Sequence, residues 1–231
     1  MKYYFLFLLL LFYINPLYAV DSDIALDKAP INIYDIQSIK RGAKIFATTC
    51  MACHTMIYLR YNKIAQASGV RYDKMPLHIT QWPNGIKPPD LSLEADIHGP
   101  DWIYTYLHSF YLDPARPTGF NNLLVPNTAM MNMLVPFQGQ QIIASDLNIM
   151  QKYSDAPLQW YDVLELQRKG SLTPKQFDDM VTDIVNFLTY AANPYQAFQW
   201  KLGYYVLGFL VILFILMYLL KRNYWQDIKK E

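Results

Sequence analysis

Cysteine and charge are both scarce in this 231-residue chain, and each scarcity excludes a class of protein. Two cysteines are too few for a scaffold held together by several disulfides. Charged residues make up 17% of the chain, against about 25% in an average domain. With 53% apolar residues and a formal net charge of +1, the chain fits neither a disordered protein nor a basic nucleic-acid binder.

Apolar residues are instead concentrated in two runs, of which the first lies near the amino terminus. Residues 5–14 are apolar without interruption, Lys2 precedes them, and the small residue Ala19 follows. A positive start, a short apolar core and a small residue at the cut are typical of a secretory signal peptide. We therefore predict a signal peptide at residues 1–19, with an uncleaved amino-terminal anchor as the alternative. Cleavage is favoured because ten apolar residues are too few to span a membrane.

The second apolar run, Leu202–Leu220, contains nineteen residues and no charge. As a helix it would be roughly 28 Å long, close to the hydrocarbon thickness of a bilayer. Aromatic residues flank it and basic residues follow it, so the positive-inside rule places the carboxyl terminus in the cytoplasm. The sequence thus predicts a single-pass protein of the inner (cytoplasmic) membrane. Its parts are a periplasmic domain at 20–198, a transmembrane helix at 199–221 and a cytoplasmic tail at 222–231.

Helical periodicity indicates that the predicted periplasmic domain is mostly helical and has long loops. Apolar residues recur at helical spacing from Ser38 towards Cys50, and again over 100–112. A Thr173 cap followed by proline predicts a last helix that ends at Asn193. Two stretches rich in proline or asparagine, 71–92 and 113–140, are predicted to be loops.

Both cysteines lie in one motif, Cys50-Met51-Ala52-Cys53-His54, whose C-x-x-C-H spacing marks c-type haem attachment. Two thiols three residues apart on a helical turn reach the two vinyl groups of one porphyrin and form thioethers. The next residue, His54, then lies under the iron as its proximal ligand. One covalently attached haem c is therefore the predicted cofactor. The predicted export agrees with this, because bacteria attach such haems outside the cytoplasm.

Two other uses of paired cysteines compete with haem attachment. A structural zinc site needs four ligands, usually with a second Cys or His pair at short spacing. The other histidines, His78, His98 and His108, are isolated in the sequence. A thiol oxidoreductase uses C-x-x-C beside a strand–helix unit, whereas this pair follows a predicted helix. The spacing therefore favours haem attachment over both.

The sixth ligand of the iron is not determined by spacing alone. A methionine opposite the histidine is a stable electron-transfer arrangement that raises the potential, and ligation by two histidines is its rival. Met180 belongs to a regular apolar face, which favours a position in the core. A loop without periodicity delivers a ligand more easily, and it contains Met130, Met131 and Met133. Met1 and Met217 lie in the predicted signal peptide and anchor, and Met51 and Met56 are too close to His54. The remaining candidates are Met75, Met130, Met131, Met133, Met150 and Met180.

Several stretches besides the haem motif are typical of one protein family. They are Leu26-Asp27-Lys28-Ala29-Pro30, Tyr34-Asp35, Arg41-Gly42, Pro88-Pro89-Asp90-Leu91-Ser92, Arg116-Pro117-Thr118-Gly119, Ala192-Asn193-Pro194 and Tyr224-Trp225. In these stretches the chain resembles the cytochrome c1 family, the haem subunit of the ubiquinol–cytochrome c reductase (cytochrome bc1) complex. The resemblance covers nearly the whole chain after the predicted signal peptide. The Pro-Pro-Asp-Leu-Ser stretch and the carboxyl-terminal apolar run are its most specific parts.

This resemblance implies a mainly α fold: a class I cytochrome c-like domain with long loops, plus one C-terminal transmembrane helix. In the family, a methionine in the loop after the Arg-Pro-Thr-Gly stretch is the sixth ligand, which matches Met130 here. Met131 stands where the family commonly has proline. If the alignment is shifted by one residue, Met131 is the alternative ligand. Pro89 and Leu91 would line the haem pocket, and Arg116 is a candidate to contact the haem propionates.

The resemblance also implies electron transfer without bond chemistry at this chain. The haem would accept an electron from a Rieske iron–sulfur protein and pass it to a cytochrome c, in a respiratory complex that contains cytochrome b. The chain alone would be an electron carrier, and part of an enzyme only as a subunit of the reductase. Its other partner would be membrane lipid. The rivals are another anchored mono-haem carrier, which lacks those partners, and a haem sensor or peroxidase.

Residues 88–113 contain five acidic side chains and neither Lys nor Arg. The surrounding residues 20–200 include 14 basic and 17 acidic residues, a formal net charge of −3. We hypothesise that part of this acidic stretch attracts a basic electron acceptor, the alternative being a solvated surface without a partner. The five residues are Asp90, Glu94, Asp96, Asp101 and Asp113.

Overall fold

The computed structural model describes residues 24–82, 85–144 and 158–228. The predicted signal peptide, the candidate ligand Met150 and the last three residues of the predicted tail lie outside these ranges. Helices prevail in the described residues, so the predicted mainly α fold is confirmed. The helices are α1 (Ile36–Ile45), α2 (Lys63–Ala67), α3 (Glu94–Ile97), α4 (Pro100–His108), α5 (Val135–Gln138), α6 (Trp160–Val163), α7 (Pro174–Ala192) and α8 (Gln196–Ile228).

Four short strands in the described residues form two separate antiparallel pairs, β1 with β2 and β3 with β4. The sequence did not predict them, because each is short and most lie in or beside the stretches that lack periodicity. Neither pair forms a layer of its own, and the main buried core is made by the helices. The strands are β1 (Phe110–Leu112), β2 (Phe120–Asn122), β3 (Gly139–Ile143) and β4 (Leu164–Lys169).

Helix α4 stops at His108, so the predicted helix over 100–112 is wrong in its last part. Side chains from outside the helix bind its end. The Asn122 side-chain amide donates to the Tyr106 carbonyl at 2.8 Å, and the Ser109 hydroxyl donates to Asn122 Oδ1 at 3.2 Å. Because Asn122 of β2 donates a hydrogen bond to a carbonyl of the last helical turn, the chain leaves the helix there and continues as β1.

Helix α1 positions the haem motif, because it leads without a break into the turn that ends at Cys50. It begins at Ile36, slightly before the predicted start at Ser38. The Asp35 carboxylate caps it by accepting from the backbone N–H groups of Gln37 and Ser38, both at 3.0 Å. Ser38 itself lies on the buried face, which packs against α7. The buried residues of α1 are Ser38, Ile39, Gly42 and Ala43.

A buried polar cluster joins α1 to α7. The Asp183 carboxylate accepts from the Ser38 hydroxyl at 2.6 Å, and from Arg41 Nε at 2.6 Å and Nη2 at 2.8 Å. The Asn186 side chain donates to Ser38 Oγ at 2.6 Å and accepts from the backbone N–H of Asn32 at 2.7 Å. Because paired polar groups in a low-dielectric interior favour one arrangement, the cluster determines the register of α1 on α7.

Helix α7 begins and ends where the sequence predicts. Thr173 Oγ1 accepts from the Gln176 backbone N–H at 3.4 Å, while Gln176 Oε1 accepts from the Thr173 backbone N–H at 3.0 Å. This reciprocal pair is the capping box that the sequence indicated. The helix ends at Ala192 with Asn193 as its cap, so both predicted boundaries are confirmed.

Helix α8 contains the predicted transmembrane segment 199–221 and extends beyond it at both ends. Within the described residues it is the one helix long and apolar enough to cross a membrane, over Gln196–Trp225. None of its most apolar window is buried against the rest of the chain. A helix that is apolar on all sides and exposed needs an apolar surrounding, so α8 fits a membrane anchor.

Candidate functional site

A widened helical turn leads into the cysteine motif. Residues Phe46–Cys50 form a π-helical turn, closed by a hydrogen bond from the Met51 backbone N–H to the Phe46 carbonyl at 2.9 Å. The Cys50 carbonyl then accepts from the backbone N–H of Cys53 at 3.0 Å and of His54 at 2.9 Å. The chain therefore continues to turn through the motif. Both cysteines are unpaired and partly buried, as two thiols intended for a shared ligand must be.

The Cys50 thiol is a poor candidate for thiolate chemistry. Burial, with a smaller contribution from Cys53, raises the pKa of Cys50 to about 12, so the thiol is protonated at neutral pH. Reactive and metal-binding cysteines instead have a lowered pKa, typically at a helix N-terminus. Here the pair follows the C-terminal end of α1. Groups of three or more His, Cys, Asp or Glu placed to bind a metal ion are also absent from the described ranges. Both observations disfavour the zinc and thiol-redox alternatives.

The His54 imidazole is oriented for ligation. Its Nδ1 lies 2.9 Å from the Pro89 carbonyl oxygen. Because a carbonyl only accepts, Nδ1 carries the proton and Nε2 keeps a free lone pair. Burial lowers the pKa of His54, although the Pro89 hydrogen bond and nearby acidic groups oppose the shift. A neutral imidazole with one nitrogen held by a carbonyl is the form that binds a metal.

The segment after the motif is joined to residues 89–92 by several hydrogen bonds. The Asp90 carboxylate accepts from Thr55 Oγ1 at 2.6 Å and from the Ile57 backbone N–H at 2.9 Å. The Leu91 backbone N–H donates to the Thr55 carbonyl at 3.0 Å. Burial opposes ionisation of Asp90, but hydrogen bonds from Ser92, Thr55 and Ile57 outweigh it and lower the pKa of the carboxyl. This junction brings Pro89 and Leu91, the two predicted pocket residues, beside the motif.

The loop that contains Met130, Met131 and Met133, called the methionine loop below, exposes Met130 and Met131 to different extents. Met130 is partly buried, and its sulfur lies 3.5 Å from the Tyr106 hydroxyl oxygen. Its backbone N–H donates to Thr128 Oγ1 at 3.3 Å, which ties the main chain at this point. The Met131 side chain is 43% exposed. A ligand has to be held towards the interior, so this geometry favours Met130 over Met131.

Four of the other candidate ligands are already engaged elsewhere. Met75 is buried, and its sulfur accepts from the Met56 backbone N–H at 3.4 Å. Met180 packs against the hydrophobic core, as its periodicity suggested. His108 is buried, with Nδ1 2.8 Å from the Tyr104 carbonyl and Nε2 3.1 Å from Asp178. His98 pairs with Glu94 at 2.9 Å and stacks on Trp102. These contacts would have to break before any of these side chains could bind iron.

Two buried donors in the described residues have no hydrogen-bond partner: Trp82 Nε1 and Arg116 Nε. The rest of the Arg116 guanidinium is fixed, because Nη1 donates to Asn127 Oδ1 at 2.7 Å. Asn127 precedes Met130 in the same loop and has a φ of 66°, a left-handed conformation that asparagine tolerates. A buried unpaired N–H is costly unless an acceptor binds it. A carboxylate such as a haem propionate would satisfy this requirement.

These residues together fit a haem c. Two unpaired thiols, an imidazole with a free nitrogen, a thioether in an ordered loop and an unpaired guanidinium nitrogen match the vinyl, iron and propionate groups of that cofactor. Asp90 and Tyr106, which hold parts of this site, were not identified as site residues from the sequence. Asp90 appeared there as an acidic residue and as part of the Pro-Pro-Asp-Leu-Ser stretch, and Tyr106 only as part of an apolar helical face.

Most of the acidic stretch has structural partners. Besides Asp90, Asp101 Oδ1 accepts from the Ala29 backbone N–H at 2.8 Å, and Asp113 Oδ2 accepts from Asn121 at 2.9 Å. Glu94 is paired with His98. Asp96 is exposed and makes no side-chain hydrogen bond or ion pair within the described ranges. A partner would therefore meet Asp96 on α3, with Glu94 beside it in its pair with His98, rather than the whole stretch.

Comparison with known proteins extends over nearly the whole chain. The profile of the Cytochrome C1 family matches residues 27–78 and 78–228. A cytochrome c1 of Allochromatium vinosum is 39% identical over 225 residues, which are 88% of this chain and 89% of that protein. An ammonia monooxygenase gamma subunit of Nitrosomonas europaea is 34% identical, over 96% of this chain and 97% of that protein. A cytochrome c1 of Rhodospirillum rubrum is 24% identical, over 85% and 84% of the two chains.

Proposed function

The chain belongs to the cytochrome c1 family, and from this premise we propose that it is a membrane-anchored electron carrier with one haem c. The observation that supports this best is the hydrogen bond from His54 Nδ1 to the Pro89 carbonyl at 2.9 Å. It leaves Nε2 free beside two unpaired thiols. Haem, when bound, supplies one-electron redox chemistry at its iron.

Cys50 and Cys53 would hold the cofactor by two thioethers. Each would form by addition of one S–H across one vinyl group, with the hydrogen going to the other vinyl carbon, so no oxidant or reductant is needed. Two covalent links would prevent dissociation and fix the porphyrin relative to α1. His54 would bind the iron through Nε2, and its hydrogen bond to Pro89 would strengthen the imidazole as a donor.

Met130 is the proposed second protein ligand of the iron. A thioether paired with an imidazole would raise the potential relative to two nitrogen ligands, which suits an electron acceptor late in a respiratory chain. Arg116 Nε is proposed to donate to a propionate carboxylate, since within the described residues it is a buried donor without a partner and its guanidinium is held by Asn127 of the loop that contains Met130. Pro89 and Leu91 would complete the pocket on the His54 side.

We further propose that the segments of the chain lie on the two sides of the inner membrane as the sequence analysis predicts. Residues 1–19 direct export, residues 20–198 lie in the periplasm, 199–221 cross the inner membrane and 222–231 lie in the cytoplasm. As a subunit of the cytochrome bc1 complex beside cytochrome b, the chain would accept an electron from a Rieske iron–sulfur protein and reduce a cytochrome c. Family membership supports the electron-transfer role, and the basic residues that follow the apolar run Leu202–Leu220 support the orientation.

Replacement of Met130 by leucine tests the iron site. We expect the wild-type chain to have a low-spin His/Met absorption spectrum and Met130→Leu to lose it, because leucine retains most of the volume but has no sulfur. Met131→Leu, one residue along, is the matched control and should retain the spectrum. If Met130→Leu keeps the full low-spin His/Met spectrum, Met130 is not the ligand. If only Met131→Leu loses it, the register is one residue later.

Charge reversal on α3 tests the docking hypothesis. We expect Glu94→Lys/Asp96→Lys to slow reduction of a basic cytochrome c by about tenfold at low ionic strength, because steering depends on opposite charges. The difference should shrink as salt is added. Glu165→Lys/Asp179→Lys makes the same change in net charge at exposed positions elsewhere and is the control. Equal rates for the two double variants, or a salt-independent rate, would refute docking on α3.

A further inference from the structure

The Tyr106 hydroxyl on α4 reaches the sulfur of Met130 at 3.5 Å, within the range of a hydrogen bond to sulfur. We infer that Tyr106 is a positioning residue that raises the haem potential by donating a hydrogen bond to the Met130 thioether. This inference rests on the proposed function, because Met130 influences a potential only if it binds the iron. Nothing in the electron-transfer role itself requires a tyrosine at this position.

A ring of hydrogen bonds directs the tyrosine proton towards the sulfur. Tyr106 Oη lies 3.1 Å from Thr128 Oγ1, and that oxygen also accepts from the Met130 backbone N–H at 3.3 Å. A phenol has one proton to donate, and so has a threonine hydroxyl. The thioether cannot donate, so all three groups are satisfied when Thr128 donates to Tyr106 and Tyr106 donates to Met130. The ring therefore orients both the side chain and the main chain of the proposed ligand.

Aromatic contacts hold the Tyr106 ring in place. Trp102, one turn earlier, stacks on it with ring centroids 5.0 Å apart and planes 7° apart. Phe110, which follows α4, meets it edge-on at 5.0 Å with planes 70° apart. Both are favourable geometries for aromatic pairs. Because the ring is held on two sides, the hydroxyl stays near the sulfur without depending on the Met130 contact itself.

The direction of the effect follows from the donor strength of sulfur. A hydrogen bond withdraws electron density from the thioether and makes it a weaker donor to iron. The ferric state depends more on donation than the ferrous state, because it has the higher charge. The bond therefore disfavours the oxidised form and raises the potential, as hydrogen bonds in the second shell of a metal site do elsewhere.

Tyr104 provides a matched control on the same helix. It is a buried tyrosine whose ring lies 4.3 Å from that of His108. Within the described residues, no hydrogen bond or ring contact joins it to the methionine loop. Tyr104→Phe and Tyr106→Phe each remove one hydroxyl from a packed ring of α4. General effects of losing a phenol should therefore be equal in the two variants.

The test is a redox titration of the membrane-bound holoprotein, followed by its absorption spectrum. We expect Tyr106→Phe to lower the midpoint potential, so that the oxidised-to-reduced ratio at a fixed ambient potential rises about two- to fivefold, the effect of one modest hydrogen bond. Tyr104→Phe should titrate like the wild type. Both variants should retain the low-spin spectrum, because phenylalanine preserves the ring contacts.

Two results would overturn the inference. Tyr106→Phe could titrate like the wild type while Met130→Leu abolishes the low-spin His/Met spectrum, which would leave the proposed ligand intact and remove the role of Tyr106. Alternatively, Tyr104→Phe and Tyr106→Phe could lower the potential equally, which would indicate a packing effect. Failure of the proposed function is distinguishable, since Met130→Leu would then keep the wild-type spectrum.

Discussion

Replacement of both Cys50 and Cys53 by alanine should abolish covalent haem attachment. Cys50 and Cys53 are the only two cysteines in the sequence, so no other side chain can form the thioethers. Haem staining of a denaturing gel measures this directly, because only covalently attached haem migrates with the chain. We expect the band to disappear, and we expect Cys53→Ala alone to keep a weaker band, since one thioether can still form at Cys50.

The matched control is Ala52→Ser, which changes an exposed residue inside the motif and leaves both thiols in place. It should stain like the wild type. A covalent haem band in the double alanine variant would show that attachment does not use the motif. Loss of the band in Ala52→Ser as well, with a normal amount of chain, would show that the assay reports folding of this turn rather than the presence of the thiols.

The features that can be predicted from the sequence are those whose pattern is contained in a few consecutive residues. The spacing of Cys50, Cys53 and His54 defines the motif without knowledge of the fold. The cap at Thr173 is similar, because both hydrogen bonds of the capping box connect residues three apart. The apolar run in α8 is also local, since its composition alone indicates a membrane span.

The parts that sequence does not predict depend on contacts between distant residues. Tyr106 and Met130 are 24 residues apart, and their contact depends on how the loop returns to α4. Asp90 contacts Thr55 across 35 residues. In the sequence Tyr106 belongs to an apolar helical face, which also describes an ordinary core residue. Its hydroxyl acquires a role only because the fold places a sulfur beside it.

Local patterns also mislead where a tertiary contact competes with them. Residues after His108 continue the apolar spacing of α4, but the Asn122 side chain binds the Tyr106 carbonyl and the chain pairs as β1 instead. At the other helix, Ser38 has the chemistry of a cap, yet Asp35 is the cap and Ser38 is buried against Asp183. In the first case the competing partner, Asn122, is distant in sequence. In the second case Asp35 is as good a cap residue as Ser38, so residue type does not decide between them.

Gly42→Ala should destabilise the fold strongly, because α1 packs closely against α7 at this glycine. A Cβ atom at position 42 would lie 1.8 Å from the Asp183 carbonyl oxygen and 2.9 Å from Phe187 Cβ. The first obstacle is backbone of α7, which cannot rotate away as a side chain would. Alanine favours an isolated helix by about 1 kcal/mol over glycine, so propensity alone predicts stabilisation. Overpacking costs typically 1–3 kcal/mol and more against rigid backbone, so we expect a net loss of about 3 kcal/mol.

This loss corresponds to a melting temperature about 6–12 °C lower, measured on the membrane-bound holoprotein by its Soret absorption. The control is Gly203→Ala in α8, where a Cβ atom would meet nothing within 4 Å and no decrease is expected. Separation of α1 from α7 would also strain the bonds of Ser38 and Arg41 to Asp183, and α1 leads directly into Cys50. Haem incorporation should therefore fall in parallel with stability. A Gly42→Ala protein as stable as Gly203→Ala would mean that the two helices do not need this close approach.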